Sequence, residues 1–148
     1  MNNAQHDKLL EPLQGFRAKT KQGVYGTYLE AWDVIAQLNH IFGFNGWCKE
    51  VKELVCVSSV EKGGKYTVIY RATVQLTVRF EDGTIKISED SATCDGTNQV
   101  TLADAHDLAV KGAVSQALKR CAKDLGDQFG LSLYNEGSLD PVVGSTLV

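Results

Sequence analysis

YTVIYRATVQLTVRF, Tyr66 to Phe80, is the stretch on which the fold turns. Its even positions read Tyr, Val, Tyr, Ala, Val, Leu, Val, Phe, and its odd positions are polar apart from Ile69. A period of two predicts a β-strand with one buried face and one wet face. Upstream, K-G-G-K at Lys62 to Lys65 is a two-glycine hairpin signal, so WCKEVKELVCVSSV, residues 47–60, becomes the antiparallel neighbour. Downstream, Glu81-Asp82-Gly83 turns the chain into TIKIS, residues 84–88. The result is a three-stranded antiparallel meander whose apolar face must be covered.

Two helices flank that meander. Thr27 and Glu30 of T-Y-L-E form a capping-box pattern, and Val34, Ile35, Leu38, Ile41 and Phe42 share about a third of the helical circumference. Gly43 follows where a helix end favours positive φ, which predicts a helix from Tyr28 to Phe42. FGFNGW, residues 42–47, then reads as a helix-to-strand corner, with Gly43 and Gly46 at positive φ and Phe42 and Trp47 turned to the core. SATCDGTNQV, residues 91–100, reads as a loop, and T-L-A-D at Thr101 to Asp104 caps a long helix reaching about Leu125. Val110, Val114, Ala117, Leu118, Cys121 and Leu125 fall on its apolar side. The expected fold class is α+β: helix, three-stranded antiparallel meander, then a long helix packed across the sheet. Residues 1–136 are expected to form one domain, and GSLDPVVGSTLV, residues 137–148, a loose tail.

The chain carries a net charge of −3 that is unevenly spread. Residues 13–28 hold Arg17, Lys19 and Lys21 with no acid, and residues 109–123 hold Lys111, Lys119, Arg120 and Lys123 with no acid. Residues 81–95 hold five acids against Lys86. On the long helix the four cations lie opposite the apolar side, among the small or neutral Gly112, Ser115, Gln116 and Ala122, where a backbone phosphate could approach. On charge and pattern alone, a nucleic-acid-binding module and a protein-interaction domain stand level.

Catalytic patterns are sparse. Asp104, His106 and Asp107 in ADAHD form the one local titratable cluster, and on a helix His106 points about 200° from Asp104, so the three do not converge. G-x-x-x-x-G-K-[ST], G-x-G-x-x-G and G-x-S-x-G are all missing, which leaves nucleotide hydrolysis and acyl transfer without local support. Cys48, Cys56, Cys94 and Cys121 lack zinc-site spacing and are expected to be free, buried thiols. Neither a signal peptide nor an apolar span of membrane length is apparent, so a soluble protein of the cell interior is expected.

YLEAWDVIAQLNHIFGFNGW, Tyr28 to Trp47, resembles the segment of the Rad52/Rad22 family of single-strand annealing proteins that ends N-x-x-F-G-[YF]-N-G-W. ALKRCAKDLGDQFG, Ala117 to Gly130, resembles that family's second signature, a helix with L-K-R, a further basic residue and a glycine. With the connecting strands, the resemblance covers about Arg17 to Leu133. It implies a ring-forming annealing domain that holds single-stranded DNA in a positive outer groove, bases outward, and anneals complementary strands in homologous recombination and repair. It implies no enzyme activity and no cofactor. By position, Lys119 and Arg120 match groove-lining residues, Lys123 stands where an arginine is common, and Lys111 matches an earlier lysine. Tyr28 and Ser115 align near the groove, and Arg17 or Lys19 takes the place of an N-terminal arginine.

The resemblance has two gaps. DGTNQVTLADAHD, residues 95–107, lacks the lysines that family members carry for a second DNA molecule. The long tail through which eukaryotic members recruit a recombinase and a single-strand-binding protein does not follow within this sequence. A compact bacterial or phage annealing protein of the cytoplasm is therefore expected, a homo-oligomer with either of those two proteins as a candidate partner. The alternative reading is an RNA-binding or protein-interaction module on an α+β scaffold.

Overall fold

A computed structural model describes residues 3–20 and 27–143. Its order is helix α1 (Asn3–Leu10), a single 3-10 turn (Gly15–Arg17), strands β1 (Lys19–Thr20) and β2 (Thr27–Tyr28), and helix α2 (Ala31–Phe42). Strands β3 (Trp47–Lys62), β4 (Lys65–Arg79) and β5 (Ile85–Gln99) and helix α3 (Leu102–Ala122) follow, and three short 3-10 turns end at Tyr134. The three long strands form one sheet in the order β3-β4-β5, and α3 packs against it. The α+β class is as read. The chain divides into two compact units: residues 49–76 with 88–121, and residues 1–48 with 77–87 and 122–148.

In the first of these units, β4 behaves as its alternation requires: Val68, Ala72, Val74 and Leu76 are buried. Gly63 and Gly64 turn the chain into β4 with φ of 60° and 76°, two consecutive left-handed residues as a two-residue hairpin needs. Strand β5 is longer than expected, because residues 91–99, read as a loop, continue it to Gln99. The apparent loop composition has a packing cause. A Cβ added at Gly96 would lie 2.3 Å from the Ala105 carbonyl oxygen, and one at Gly112 would lie 2.1 Å from Cys94 Sγ. Helix and strand approach so closely that only small side chains fit between them.

The buried stripe of α3 follows from the same approach. Ala105, Ala109, Ala113 and Ala117, four residues apart, are wholly buried with Leu118 and Cys121. Val110 and Val114, expected on that apolar side, are only half-buried. Larger side chains drew the expectation toward the valines, whereas a row of methyl groups lets the helix backbone sit against the sheet. Ala105 and Ala109 cluster with Val68, and Cys121 Sγ donates to the Val74 carbonyl at 3.2 Å. The start of α3 is as read, with the Asp104 amide donating to Thr101 Oγ1 at 3.1 Å.

In the second unit, α2 starts three residues later than expected, at Ala31. Thr27 and Tyr28 instead pair with β1 in the register Lys19↔Tyr28 and Thr20↔Thr27. Glu30, rather than closing a capping box, accepts from Trp32 Nε1. Pairing with β1 draws Thr27 and Tyr28 into a strand, so the helix begins only after Glu30. Val34, Leu38 and Phe42 are buried as read, and Phe42 meets Phe80 edge-on at 5.3 Å and stacks on Phe129 at 6.5 Å. The corner after α2 has Gly43 at φ 81°. Gly46 serves it through space and not through φ, since a Cβ there would meet the Phe42 carbonyl oxygen at 1.9 Å.

Residues 137–143, expected as part of a loose tail, are tied back where Asp127 Oδ2 accepts from the Val142 and Val143 amides at 2.9 and 3.1 Å. None of the four cysteines is in a disulfide, and only Cys121 is buried, with Cys48 and Cys56 exposed and Cys94 intermediate. The long strands leave much of their surface uncovered, which is why residues of ordinary core type stand open there. Among the described residues no helix is long and apolar enough to cross a membrane.

Candidate nucleic-acid interface

Helix α3 carries the main cationic surface. Lys111, Ser115 and Lys119 are four residues apart, so they form one row along the helix, and Gln116 and Arg120 form the adjacent row. Lys111, Gln116 and Arg120 are exposed, while Ser115 and Lys119 are half-buried. Gly112 and Ala122, expected among these cations, face inward instead, Gly112 against Cys94 and Ala122 fully buried.

Folding brings acids to a stretch that has none in sequence. Lys111 Nζ lies 2.7 Å from Asp107 Oδ2, one turn back, and Arg120 Nε lies 3.6 Å from Asp90 Oδ1 on β5. The hydrogen bond to Asp107, then its charge, raises the Lys111 pKa above its ordinary value. Both pairs are open to water, where screening keeps them weak and a phosphate can displace the carboxylate. Lys119 and Arg120 also occupy the last turn, where positive charge complements the helix dipole.

The other matched residues belong to the second unit. Lys19 and Tyr28 are direct cross-strand partners in the β1–β2 ribbon, so their side chains share one face. Lys19 is exposed and Tyr28 half-buried. Lys123 sits in the 3-10 turn after α3, with Nζ 3.4 Å from Asp124 Oδ1 and 5.6 Å above the Tyr134 ring. Arg17 departs from the expectation. It is buried, with Nε 3.2 Å from both Asp33 oxygens and Nη2 2.9 Å from Asp33 Oδ2. A guanidinium committed to a buried carboxylate does not offer itself to a phosphate. Lys21, the third cation of that segment, lies outside the described residues.

The ADAHD residues diverge. His106 Nδ1 and Tyr70 Oη are 2.7 Å apart, Asp107 pairs with Lys111, and Asp104 is exposed in the first turn. Burial raises the Tyr70 pKa first of all, and Cys56 beside it adds to that. No three His, Cys, Asp or Glu among the described residues could hold a metal.

Sequence reasoning missed the exposed aromatics. Phe44, between the two glycines of FGFNGW, is 85% exposed, and Phe16 and Trp32 are 80% and 63% exposed. Their signal was position: Phe44 follows the end of α2 and Trp32 lies off its apolar stripe.

The family model described as Rad52/22 family double-strand break repair protein matches residues 2–143. Among curated proteins, the chain is 36% identical over 115 residues to the DNA repair and recombination protein RAD52 of Eremothecium gossypii, spanning 78% of this chain and 26% of that protein. It is 37% identical over 112 residues to the RAD52 protein of Saccharomyces cerevisiae, spanning 76% and 23%. It is also 33% identical over 119 residues to the DNA repair and recombination protein rti1 of Schizosaccharomyces pombe, spanning 79% and 31%. The chain thus spans about a quarter to a third of these relatives' length. All three are fungal, so they lend no support to the expected bacterial or phage origin. With the family model matched over nearly the whole chain, and with both motifs placed on the corner after α2 and the end of α3, this chain belongs to the Rad52/22 family of double-strand break repair proteins.

Proposed function

We propose that this chain binds single-stranded DNA without regard to sequence and anneals complementary strands, without nucleotide hydrolysis, as a homo-oligomer serving recombination and repair. The observation that carries the reading is the row of Lys111, Ser115 and Lys119 beside Arg120 on the open face of α3. Cations along a helix face meet phosphates, not base edges, which makes binding indifferent to sequence and leaves pairing edges free. Each cation that neutralises a phosphate contributes about −0.7 to the slope of log affinity against log salt on single strands. Lys111, Lys119, Arg120 and Lys123 together give a slope of about −3 per subunit engaged.

Assembly is supported by β3, an edge strand of the sheet that exposes Val51, Leu54, Val57 and Val60. An exposed apolar edge strand is a template for pairing with a second chain. Linking many weak DNA sites in one oligomer raises the affinity of the whole.

The test replaces Lys119 and Arg120 together by alanine and measures annealing of complementary oligonucleotides. The double variant is expected to fold and to lose most annealing. A folded double variant that anneals like the parent sinks the reading.

A further inference from the structure

All five N–H donors of Arg17 are occupied. Nε donates to Asp33, Nη2 to Asp33 Oδ2 and to the Gln128 carbonyl at 2.9 Å each, and Nη1 to Gln14 Oε1 at 3.1 Å and Gln128 Oε1 at 3.3 Å. Gln128, fully buried, donates in turn to the carbonyls of Glu11 at 3.2 Å and Pro12 at 2.7 Å, and accepts from Gln37 Nε2 at 2.8 Å. The network joins the segment before β1, the helix after β2 and the turn that contains Gln128. Arg17 precedes β1 by two residues, and Asp33 lies in the first turn of α2, shortly after β2. The bond between them therefore closes the base of the β1–β2 ribbon, joining the residues that lead into β1 to those that follow β2.

We infer that Arg17, Asp33 and Gln128 are positioning residues that fix the ribbon so that Lys19 and Tyr28, side by side on one face, meet single-stranded nucleic acid. The ammonium takes a phosphate, and the adjacent phenol ring packs on the nucleotide beside it. This rests on the single-strand-binding reading above and adds to it a role for a buried acid. It also opposes the role that the family resemblance implied for Arg17.

The two roles predict opposite signs. Asp33→Asn removes a negative charge, so if Arg17 were a phosphate contact, freeing it would tighten DNA binding. If Arg17 and Asp33 position the ribbon, the same change weakens binding. Arg17→Lys keeps the charge but loses the fork that engages a carboxylate on two sides, so a phosphate contact would largely survive while the clamp would not.

Affinity of the full chain for a fluorescein-labelled thirty-nucleotide dT strand is read by anisotropy over a salt series for the parent, Asp33→Asn, Arg17→Lys and Lys19→Ala. Circular dichroism checks each fold, and Arg17→Lys carries the test if Asp33→Asn does not fold. Asp33→Asn and Arg17→Lys are each expected to weaken binding by about tenfold, the scale of one lost charged hydrogen bond. Both should lower the salt slope by about 0.7, as Lys19→Ala does, since one phosphate contact is lost. Adding Lys19→Ala to Asp33→Asn should weaken binding no further, a coupling that general destabilisation would not produce. Unchanged or tighter binding by folded Asp33→Asn or Arg17→Lys overturns this inference and leaves the binding reading standing. A parent chain that fails to bind the strand at low salt overturns both.

Discussion

Gly112→Ala tests the close approach of α3 to β5, and two effects of opposite sign decide it. In a helix interior, alanine is favoured over glycine by about 1 kcal/mol. Against that, the added Cβ would stand 2.1 Å from Cys94 Sγ and 3.0 Å from its Cβ. Overpacking of a tight contact costs about 1–3 kcal/mol, because the sulfur must leave its rotamer or the helix must move. The single variant should therefore be neutral to destabilised, by roughly 0–2 kcal/mol. In a Cys94→Ala background the sulfur is gone, and the same Gly112→Ala change should stabilise by about 0.5 kcal/mol or more, since only the 3.0 Å contact opposes the helix preference. The cycle thus predicts a change of sign and a coupling of about 1–3 kcal/mol. Thermal or urea unfolding of the four proteins measures it, at about 2–4 °C per kcal/mol for a chain of this size. Gly112→Ala stabilising the parent as much as the Cys94→Ala background would refute the packing argument.

Phe129→Ala removes a ring buried beneath the aromatic pair with Phe42 and should cost roughly 3–5 kcal/mol, lowering the unfolding midpoint by about 10 °C. A loss below 1 kcal/mol would mean that the ring does not fill that site. At the turn after β4, hydrogen bonds from the Thr84 side chain and then its amide hold the Asp82 carboxyl below its ordinary value of 3.8. A depressed carboxyl adds stability that is present above the unfolded value and lost as pH falls through the folded one, so unfolding should become easier on acidification below about pH 4. Asp82→Asn should flatten that part of the stability profile, and an unchanged profile would place the acid sensitivity elsewhere.

The strands and helices were legible because burial imposes a period. Alternation in β4 marks a sheet covered on one face, and Lys62 to Lys65 marks its hairpin, both as found. Local chemistry misled where a long-range partner took over. Thr27 has the residues for a cap but pairs with Thr20. Residues 91–99 have the composition of a loop but pair with β4, their small side chains reserved for a helix that the local sequence cannot show. The candidate site divides the same way. Four-residue spacing is enough to place Lys111, Ser115 and Lys119 in one row, because a helix has a fixed pitch.

What the sequence determined by itself is therefore the periodic part: an α+β chain, a one-faced meander, a capped long helix and a cationic row upon it. What only the tertiary structure decided is which charges remain available. Arg17 and Lys19 are two residues apart in an acid-free segment, yet Arg17 is buried against Asp33 and Lys19 stands exposed on the ribbon. No period separates them. Desolvation does, since a buried guanidinium must be matched by a carboxylate and carbonyls brought from distant parts of the chain, and those arrive only when the chain has folded.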